Sequence, residues 1–338
     1  MSAPCRIGLL QLADSAPVIV AHALDIFSKY GVKVEPIIVP SWANIADGLV
    51  WNGLDGAIMF APLAIMTTLG QRGRAIALRP GLPLSREGNK IVLRGQQTEQ
   101  EQWYSDGDKH RAFQLWAATL NRKPRLGVVH LYSTHYLILT RFLKSISICR
   151  DTKTEIVIMP PANMIEALAT GEIDGFCAGP PWGTDAALKH LAFPVASSAS
   201  IVPGHLEKML FLKETWKTEN PDATHRIYNA VCDAAKICTA PEQTAYITNL
   251  LSAPLTACGL DLPTEAVATV MPASPTVPDT MIFDTMPRSA ASSFGWMIQD
   301  MQTEGWLTAP LPETLSNLNW LRSESTRLNS SHDQISYA

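Results

Sequence analysis

The sequence predicts an α/β protein built from two similar lobes that face each other across a cleft. The first observation is an internal repeat, since residues 6–69 match residues 125–188 at a constant offset without a gap. The second is that both copies alternate short apolar strands with helical periodicity, in the order strand, helix, strand, helix, strand. The third is the length: 338 residues, 46% of them hydrophobic, are enough for about two domains with their own cores.

The repeat is clearest where ANIADGLVWNGLDGAIMFAPL, at residues 43–63, returns as ANMIEALATGEIDGFCAGPPW at residues 162–182. Both segments place A-N, a leucine, D-G and a proline at the same spacing. The residue before each segment differs, because Trp42 precedes the first and Pro161 the second. A gapless series with apolar positions in phase indicates a duplicated structural unit.

Each copy of the repeat predicts the same elements in order. RIGLLQL and RLGVVHL are first strands, and Ser15 and Ser133 are candidate helix N-caps. Helical spacing runs through APVIVAHALDIFSKYG and HYLILTRFLKSISI, and Gly31 is expected to end the first of these helices. VEPIIVP and TEIVIMP are second strands, the A-N segments second helices, and LDGAIMF and IDGFCAG third strands. Such βαβαβ units require parallel strands with right-handed crossovers.

The remaining segments predict where the chain crosses between lobes. GLPLSREGNKIVLRG, at residues 81–95, combines turn residues with a following strand, and SSASIVPGHLEKMLFL, at residues 197–212, is the expected return. Lobe 1 is therefore predicted to comprise residues 1–85 and 205–322, and lobe 2 residues 86–204. Residues 325–338, STRLNSSHDQISYA, resemble an adapter read-through scar, and we expect them to be a non-native tail.

Composition excludes several classes of function. The net charge of −4 and the lack of a dense Lys/Arg run argue against direct nucleic-acid binding. No stretch approaches the roughly 20 apolar residues of a membrane span, so membrane insertion is not expected. The six cysteines show no C-x-x-C spacing, and Cys149 and Cys177 are predicted to be buried free thiols.

Enzyme and metal signatures are scarce. The sequence has no G-x-G-x-x-G after a strand, no Walker A motif, no H-E-x-x-H and no G-x-S-x-G. His130 and His135 flank a strand-to-helix turn without a nearby cysteine or acid, which argues against a metal site. We therefore predict a binding protein with no cofactor and no metal rather than an enzyme.

The cleft is expected to hold a small anion, because the carboxyl ends of parallel strands meet helix N-termini with unpaired N–H groups. Trp42 stands at the start of a helix and either packs in the core or presents its indole N–H to a ligand. His135 is either a capping or surface residue or part of the cleft. Lys208 and Asn89 lie at the two crossings, where an ammonium and an amide could contact an anion, although most lysines are merely solvated.

A family resemblance emerges from the motifs in their order. RIGLLQLADSAP, KYGVKV, SWANIADGL, LDGAIMFAP, EGNKIVL, STHYLILTRFL and PPWG, over about residues 6–307, together resemble the nitrate-binding proteins of the NrtA/CmpA group. That group comprises solute-binding components of ABC transporters for nitrate and bicarbonate and, closest in character, cytoplasmic nitrate sensors of the NasS type. The resemblance implies a type II periplasmic-binding-protein-like fold. It also implies ligand contacts from Trp42, Asn89, His135, the Gly179 backbone and Lys208.

The resemblance implies binding of nitrate or nitrite, and Lys208 favours these ions over bicarbonate. One departure is that the family's G-E-P-W reads G-P-P-W at residues 179–182. The amino terminus, MSAPCRIGLLQL, lacks export features, so we expect a cytoplasmic sensor that regulates nitrate assimilation through a partner antiterminator of the ANTAR type. The alternative is a periplasmic component that delivers nitrate, bicarbonate or a related solute to an ABC permease. A third hypothesis, an enzyme similar to thiamine-pyrimidine synthases, lacks the expected cysteine-rich motif.

Overall fold

The computed structural model describes residues 3–71, 73–272, 280–287 and 294–321; the predicted tail at residues 325–338 lies outside them. The strands are β1 (Cys5–Leu9), β2 (Val34–Ile38), β3 (Gly56–Met59), β4 (Leu82–Arg86), β5 (Lys90–Arg94), β6 (Arg125–Val128), β7 (Glu155–Ile158), β8 (Gly175–Ala178), β9 (Ala192–Ser197), β10 (Leu206–Leu212) and β11 (Ile282–Phe283). The helices are α1 (Ala16–Ala23), α2 (Ile26–Lys29), α3 (Trp42–Val50), α4 (Ala61–Thr68), α5 (Gln97–Ser105), α6 (Lys109–Ala118), α7 (Thr134–Ser145), α8 (Arg150–Lys153), α9 (Met164–Thr170), α10 (Trp182–Leu188), α11 (Ser198–Ile201), α12 (Glu214–Glu219), α13 (Pro221–Thr239), α14 (Thr244–Ser252), α15 (Thr264–Val270), α16 (Gly295–Thr303) and α17 (Glu313–Asn317).

Two sheets organise these elements in matching ways. Sheet 1 has the order β11-β4-β10-β3-β1-β2, and sheet 2 has the order β7-β6-β8-β5-β9. In sheet 1, β1 pairs in parallel with β2 and β3, and in sheet 2, β6 pairs in parallel with β7 and β8. The third strand of each repeat then meets an antiparallel neighbour, β10 in sheet 1 and β5 in sheet 2. Both copies of the repeat therefore form the predicted βαβαβ unit.

The repeated D-G pair makes equivalent contacts in both lobes. Asp55 accepts the backbone N–H of Arg6 at 3.0 Å, and Asp174 accepts that of Arg125 at 2.9 Å, so each carboxylate ties the first strand to the third. A Cβ on Gly56 would lie 2.6 Å from the Phe211 carbonyl oxygen on β10. A Cβ on Gly175 would lie 2.5 Å from the Val92 carbonyl oxygen on β5. Only glycine permits this close approach.

Two local expectations about the first lobe were wrong. The segment predicted as one helix up to Gly31 is split into α1 and α2, because Asp25 adopts a left-handed backbone with φ 54°. Ser15 does not cap α1 through its side chain, since its hydroxyl donates to the Leu10 carbonyl at 3.1 Å. Ser133 does cap α7 by accepting the N–H of Tyr136 at 3.0 Å, as predicted.

The first crossing and one cysteine also differ from expectation. Residues 82–86 form β4 rather than a turn, because Gly81 lets the backbone come close to β10: a Cβ there would lie 2.0 Å from the Leu210 carbonyl oxygen. The chain passes between the sheets after Arg86 and returns before Leu206, while the predicted residue limits of the lobes stay a prediction. Cys177 is buried as expected, but Cys149 is exposed at the start of α8.

Over the described residues, none of the helices combines the length and apolar content that a bilayer span requires. The strands β3 and β8 are buried along their whole length, as expected for central strands covered by helices on both faces.

We expect Gly175→Ala to lower the free energy of unfolding by roughly 1–3 kcal/mol, because the added methyl group must displace the β5 backbone. Urea denaturation followed by circular dichroism measures this loss. Gly53→Ala is the matched control, since its Cβ would meet nothing nearer than 3.6 Å. Equal losses in the two variants would contradict the close-approach explanation.

Candidate functional site

A group of buried side chains lies between the two sheets, where loops from both lobes meet. All five residues singled out from the sequence belong to it, together with three that were not singled out. We call this group the central cluster: Asp14, Trp42, Phe60, Asn89, His135, Gly179, Glu207 and Lys208.

Trp42 and Phe60 form the apolar wall of the central cluster. Trp42 is the first residue of α3, held there because the Ser41 side chain accepts the N–H of Asn44. The rings of Trp42 and Phe60 lie 4.5 Å apart between centroids and are tilted by 50°. Lys208 Nζ lies 5.4 Å from the Trp42 ring centroid and 5.6 Å from that of Phe60. The wall therefore faces the ammonium group at cation–π distance.

His135, Asn89 and Gly179 converge from the second lobe. A Cβ on Gly179 would lie 3.5 Å from His135 Nε2 and 3.6 Å from Asn89 Oδ1. His135 is the second residue of α7, and its ring meets the Phe60 ring edge-on at 5.7 Å. The backbone of Asn89 is fixed by a reciprocal pair of hydrogen bonds with Ser198, which leaves its amide facing the cluster.

Lys208 does not present an unpaired charge. Its Nζ donates to Glu207 Oε1 at 2.6 Å and lies 3.1 Å from Asp14 Oδ2. All three side chains are at most 1% exposed. Although burial lowers the pKa of Lys208, the charges of Asp14 and Glu207 outweigh it and raise that pKa above its usual range. Lys208 is therefore not a solvated surface lysine, and its ammonium is held charged by two carboxylates.

Glu207 is the better supported of the two carboxylates. It accepts hydrogen bonds from Lys208 and, at 2.7 Å, from Thr134 Oγ1. Burial alone would raise the pKa of Glu207, but the charge of Lys208 and the neighbouring His205 hold it well below its usual range. His205 Nε2 lies 3.3 Å from Glu207 Oε2. Glu207 therefore stays ionised.

His135 is a neutral imidazole. Burial lowers its pKa to about 3, and the positive charge of Lys208 lowers it too, although Glu207 opposes this shift. At neutral pH one ring nitrogen of His135 is a donor and the other an acceptor. His135 therefore contributes hydrogen-bonding capacity, and no charge, to the central cluster.

A bulge explains why Glu207 and Lys208 reach the same site. Successive residues of a regular strand point to opposite faces of the sheet. The pairing of β10 with β4 shifts register on both sides of Lys208, which re-aims its side chain. From the sequence, Lys208 was expected at the cleft because it lies at a crossing between the lobes, whereas Glu207 was not, since regular alternation would point it to the opposite face. Asp14 was not singled out either, although its position in a short helical turn between β1 and α1 was an available signal.

Polar atoms without partners concentrate in the central cluster. In the described part of the chain, no hydrogen-bond partner is found for Trp42 Nε1, for either amide atom of Asn89 or for either ring nitrogen of His135. The two Asp14 oxygens also lack an aligned donor there, although Oδ2 is in ion-pair range of Lys208. Because folded proteins pair nearly all buried polar groups, such a concentration indicates a ligand site.

Contacts between the lobes close over the central cluster. The Ala13 N–H donates to the Pro180 carbonyl at 2.9 Å, and Trp182 Nε1 donates to the Gln11 carbonyl at 3.0 Å. Trp182 therefore joins the second lobe to the first. Farther out, Arg141 on α7 pairs with Asp300 on α16 at 2.6 Å.

Groups of three or more His, Cys, Asp and Glu that could hold a metal ion are not found among the described residues. The expectation that the protein needs no metal and no cofactor stays a prediction. The ligand-binding roles of the central cluster likewise stay proposals.

Comparison with known proteins identifies relatives. The bicarbonate transport ATP-binding protein CmpC of Synechococcus elongatus is 33% identical over 253 residues, which cover 73% of this chain and 37% of CmpC. The nitrate/nitrite binding protein NrtA of the same organism is 28% identical over 243 residues, 70% of this chain and 55% of NrtA. The chain thus spans about a third to a half of the length of these curated relatives.

Solved structures establish the fold. The periplasmic nitrate-binding protein NrtA from Synechocystis PCC 6803 superposes with a TM-score of 0.83 at 20% identity, covering 94% of this chain and 85% of that one. The alkanesulfonate-binding protein SsuA from Xanthomonas axonopodis gives a TM-score of 0.64 at 14% identity, covering 95% of both chains. The predicted type II periplasmic-binding-protein-like fold is confirmed.

A profile of the NMT1-like family matches residues 2–252, most of the chain. Together with the similarity to the nitrate- and bicarbonate-binding proteins NrtA and CmpA, this match identifies the family, whereas the NasS sensor type stays a prediction. The chain belongs to the NMT1-like family.

Proposed function

We propose that the chain binds a small oxyanion, nitrate or nitrite, in the central cluster and serves as the substrate-binding component of an ABC import system. The observation that carries this proposal is the convergence of buried polar atoms, unpartnered within the described chain, from both lobes. Trp42 Nε1 and the Asn89 amide are donors, and neutral His135 supplies one more. An oxyanion with several acceptor oxygens can satisfy donors that point from different directions.

Burial limits the size of the ligand. Trp42 is 1% exposed, and Asn89, His135 and Lys208 are 0% exposed, so the cluster is sealed by the lobes. Such an enclosed site favours a ligand of a few heavy atoms, because a larger organic solute would hold the lobes apart. The relatives NrtA and CmpA are named for nitrate/nitrite and for bicarbonate, and all three ions are small planar oxyanions. Nitrate and nitrite are the proposed ligands, and bicarbonate is the competitor to test.

Closure of the lobes on the ligand would change the protein surface that a partner contacts. Lys208 lies on β10 of sheet 1, and Trp42 follows β2 of the same sheet. His135 and Gly179 follow β6 and β8 of sheet 2. A ligand that contacts both groups binds the closed form better than the open form, and so shifts the population toward closure. An ABC permease that recognises the closed form would then receive loaded protein.

Transport is favoured here over sensing because the relative CmpC is named as a bicarbonate transport protein and a further relative, NrtC of Synechocystis, as a nitrate import protein. The relatives also support the periplasmic alternative more than the cytoplasmic location expected from the sequence, since the solved NrtA structure is described as periplasmic. The cytoplasmic sensor and its ANTAR-type antiterminator partner stay predictions. Nitrate-dependent release of such an antiterminator from the purified protein would support the sensor over the transport function.

We expect Trp42→Phe to weaken nitrate binding by about tenfold or more. The substitution keeps an aromatic wall but removes the indole N–H, and a hydrogen bond to a charged group contributes roughly 1.5–3 kcal/mol. Isothermal titration calorimetry with nitrate measures the change. Trp51→Phe is the control, because Trp51 is 70% exposed and should leave the affinity unchanged. Wild-type affinity in Trp42→Phe would remove Trp42 from the site.

We expect Gly179→Ala to weaken nitrate binding by about tenfold or more while leaving the thermal midpoint of unfolding nearly unchanged. The added methyl group would meet Leu12, His135 and Asn89 at 3.4–3.6 Å, which is ordinary contact or only slightly tight. The fold therefore tolerates the methyl group, but it enters the space between the proposed donors. Gly107→Ala, whose Cβ would meet nothing within 4 Å, is the control for both calorimetry and thermal unfolding. Unchanged affinity in Gly179→Ala would contradict the proposed ligand position.

A further inference from the structure

The central cluster has no excess positive charge with which to neutralise a bound anion. Lys208 is its one cation among the described side chains of the cluster, and it already lies against two carboxylates, at 2.6 Å from Glu207 and 3.1 Å from Asp14. His135 is neutral and cannot offset either carboxylate. A bound nitrate would therefore add a third negative charge to a buried site with one positive charge. Buried like charges repel strongly, so one carboxylate must lose its charge or the anion cannot stay.

The two carboxylates differ in how their ionised forms are supported. Glu207 accepts hydrogen bonds from Lys208 and Thr134. Neither oxygen of Asp14 has an aligned donor in the described part of the chain, although Asp14 is only 1% exposed. An ionised buried carboxylate is normally stabilised by several donors, and without them its neutral form is favoured.

The groups around Asp14 make it the one that can take up a proton. From β10, Lys208 lowers and Glu207 raises the pKa of Asp14, but burial is the largest effect and raises it overall. Of the other titratable groups at the cluster, His135 is already neutral and holds a pKa of about 3. Burial raises the pKa of the Cys177 thiol well above its usual range, so it stays protonated. His205 faces Glu207, 3.3 Å away, rather than Asp14.

We propose that the site binds its anion together with one proton, which Asp14 takes from solvent onto a carboxylate oxygen. This inference rests on the proposed anion-binding function. Protonated Asp14 no longer competes for Lys208, so the ammonium keeps Glu207 as its ionic partner and turns its remaining attraction toward the anion. The new O–H can also donate a hydrogen bond to the anion or to a neighbouring carbonyl oxygen. The loaded cluster then carries one cation, one carboxylate and the anion.

The proposal predicts that nitrate affinity falls as pH rises. Above the pKa that Asp14 has in the free protein, each unit of pH should weaken binding by up to tenfold, because one proton enters with each anion. Below that pKa, Asp14 is already protonated and the affinity should level off.

Calorimetric titration with sodium nitrate between pH 5 and pH 9 tests the proposal on the whole chain. Asp14→Asn is isosteric and cannot ionise, so its nitrate affinity should be independent of pH and close to the tightest value of the wild type. Asp222→Asn, an exposed substitution at the start of α13, is the matched control and should keep the wild-type pH dependence. Titration of the wild type in phosphate and in Tris at one pH, on the falling part of the curve, counts the protons taken up directly.

The outcomes separate the two claims. Nitrate binding by the wild type that is independent of pH, or a pH slope that persists in Asp14→Asn, overturns proton uptake by Asp14 while leaving the anion site in place. The absence of nitrate binding at every pH overturns the proposed function itself. If Asp14→Asn does not fold, the proton count of the wild type decides: about one proton taken up on the steep part of the curve supports the proposal, and none overturns it.

Discussion

The ion pair that buries Lys208 between Asp14 and Glu207 is the interaction on which the rest of the site depends. Buried charges are tolerated only with partners, because removing one partner leaves an uncompensated charge that costs roughly 3–5 kcal/mol. The bulge in β10 brings adjacent charged residues to one place, and the bond from Thr134 to Glu207 ties the second lobe to the same network. The same network of charged groups therefore both joins the lobes and sets the electrostatics of the site.

The duplicated unit supplies the site from equivalent positions with different chemistry. In the first copy the contributing residues follow all three strands of the repeat, and in the second copy they follow the first and third strands, as expected when the carboxyl ends of parallel strands meet at a cleft. The first copy contributes an acid and two aromatic rings, and the second contributes an imidazole and a bare backbone position. Duplication thus determines the positions of the contributing residues, and sequence divergence determines which chemical groups each lobe contributes. The equivalent pairs are Asp14 and Ser133, Ala16 and His135, Trp42 and Pro161, and Phe60 and Gly179.

The sequence predicted the fold well because apolar periodicity and the gapless repeat are local signals that tertiary packing reinforced. It also predicted residues that the structure brings together, since strand ends and crossings must meet at the cleft. It could not predict Glu207, because alternation along β10 is broken by the bulge, nor the left-handed Asp25 that splits the first helix. Nor could spacing show that Lys208 is already paired, because its partner Asp14 is distant along the chain and meets it only after folding.

The proposed role of the convergent buried atoms is to bind an oxyanion between the lobes. The most direct measurement is a crystal structure of the protein grown with nitrate. We predict a planar anion within hydrogen-bonding distance of Trp42 Nε1 and the Asn89 amide, on the side of Gly179 that faces His135. An ordered nitrate elsewhere, with these polar atoms bound only to water, would contradict the account.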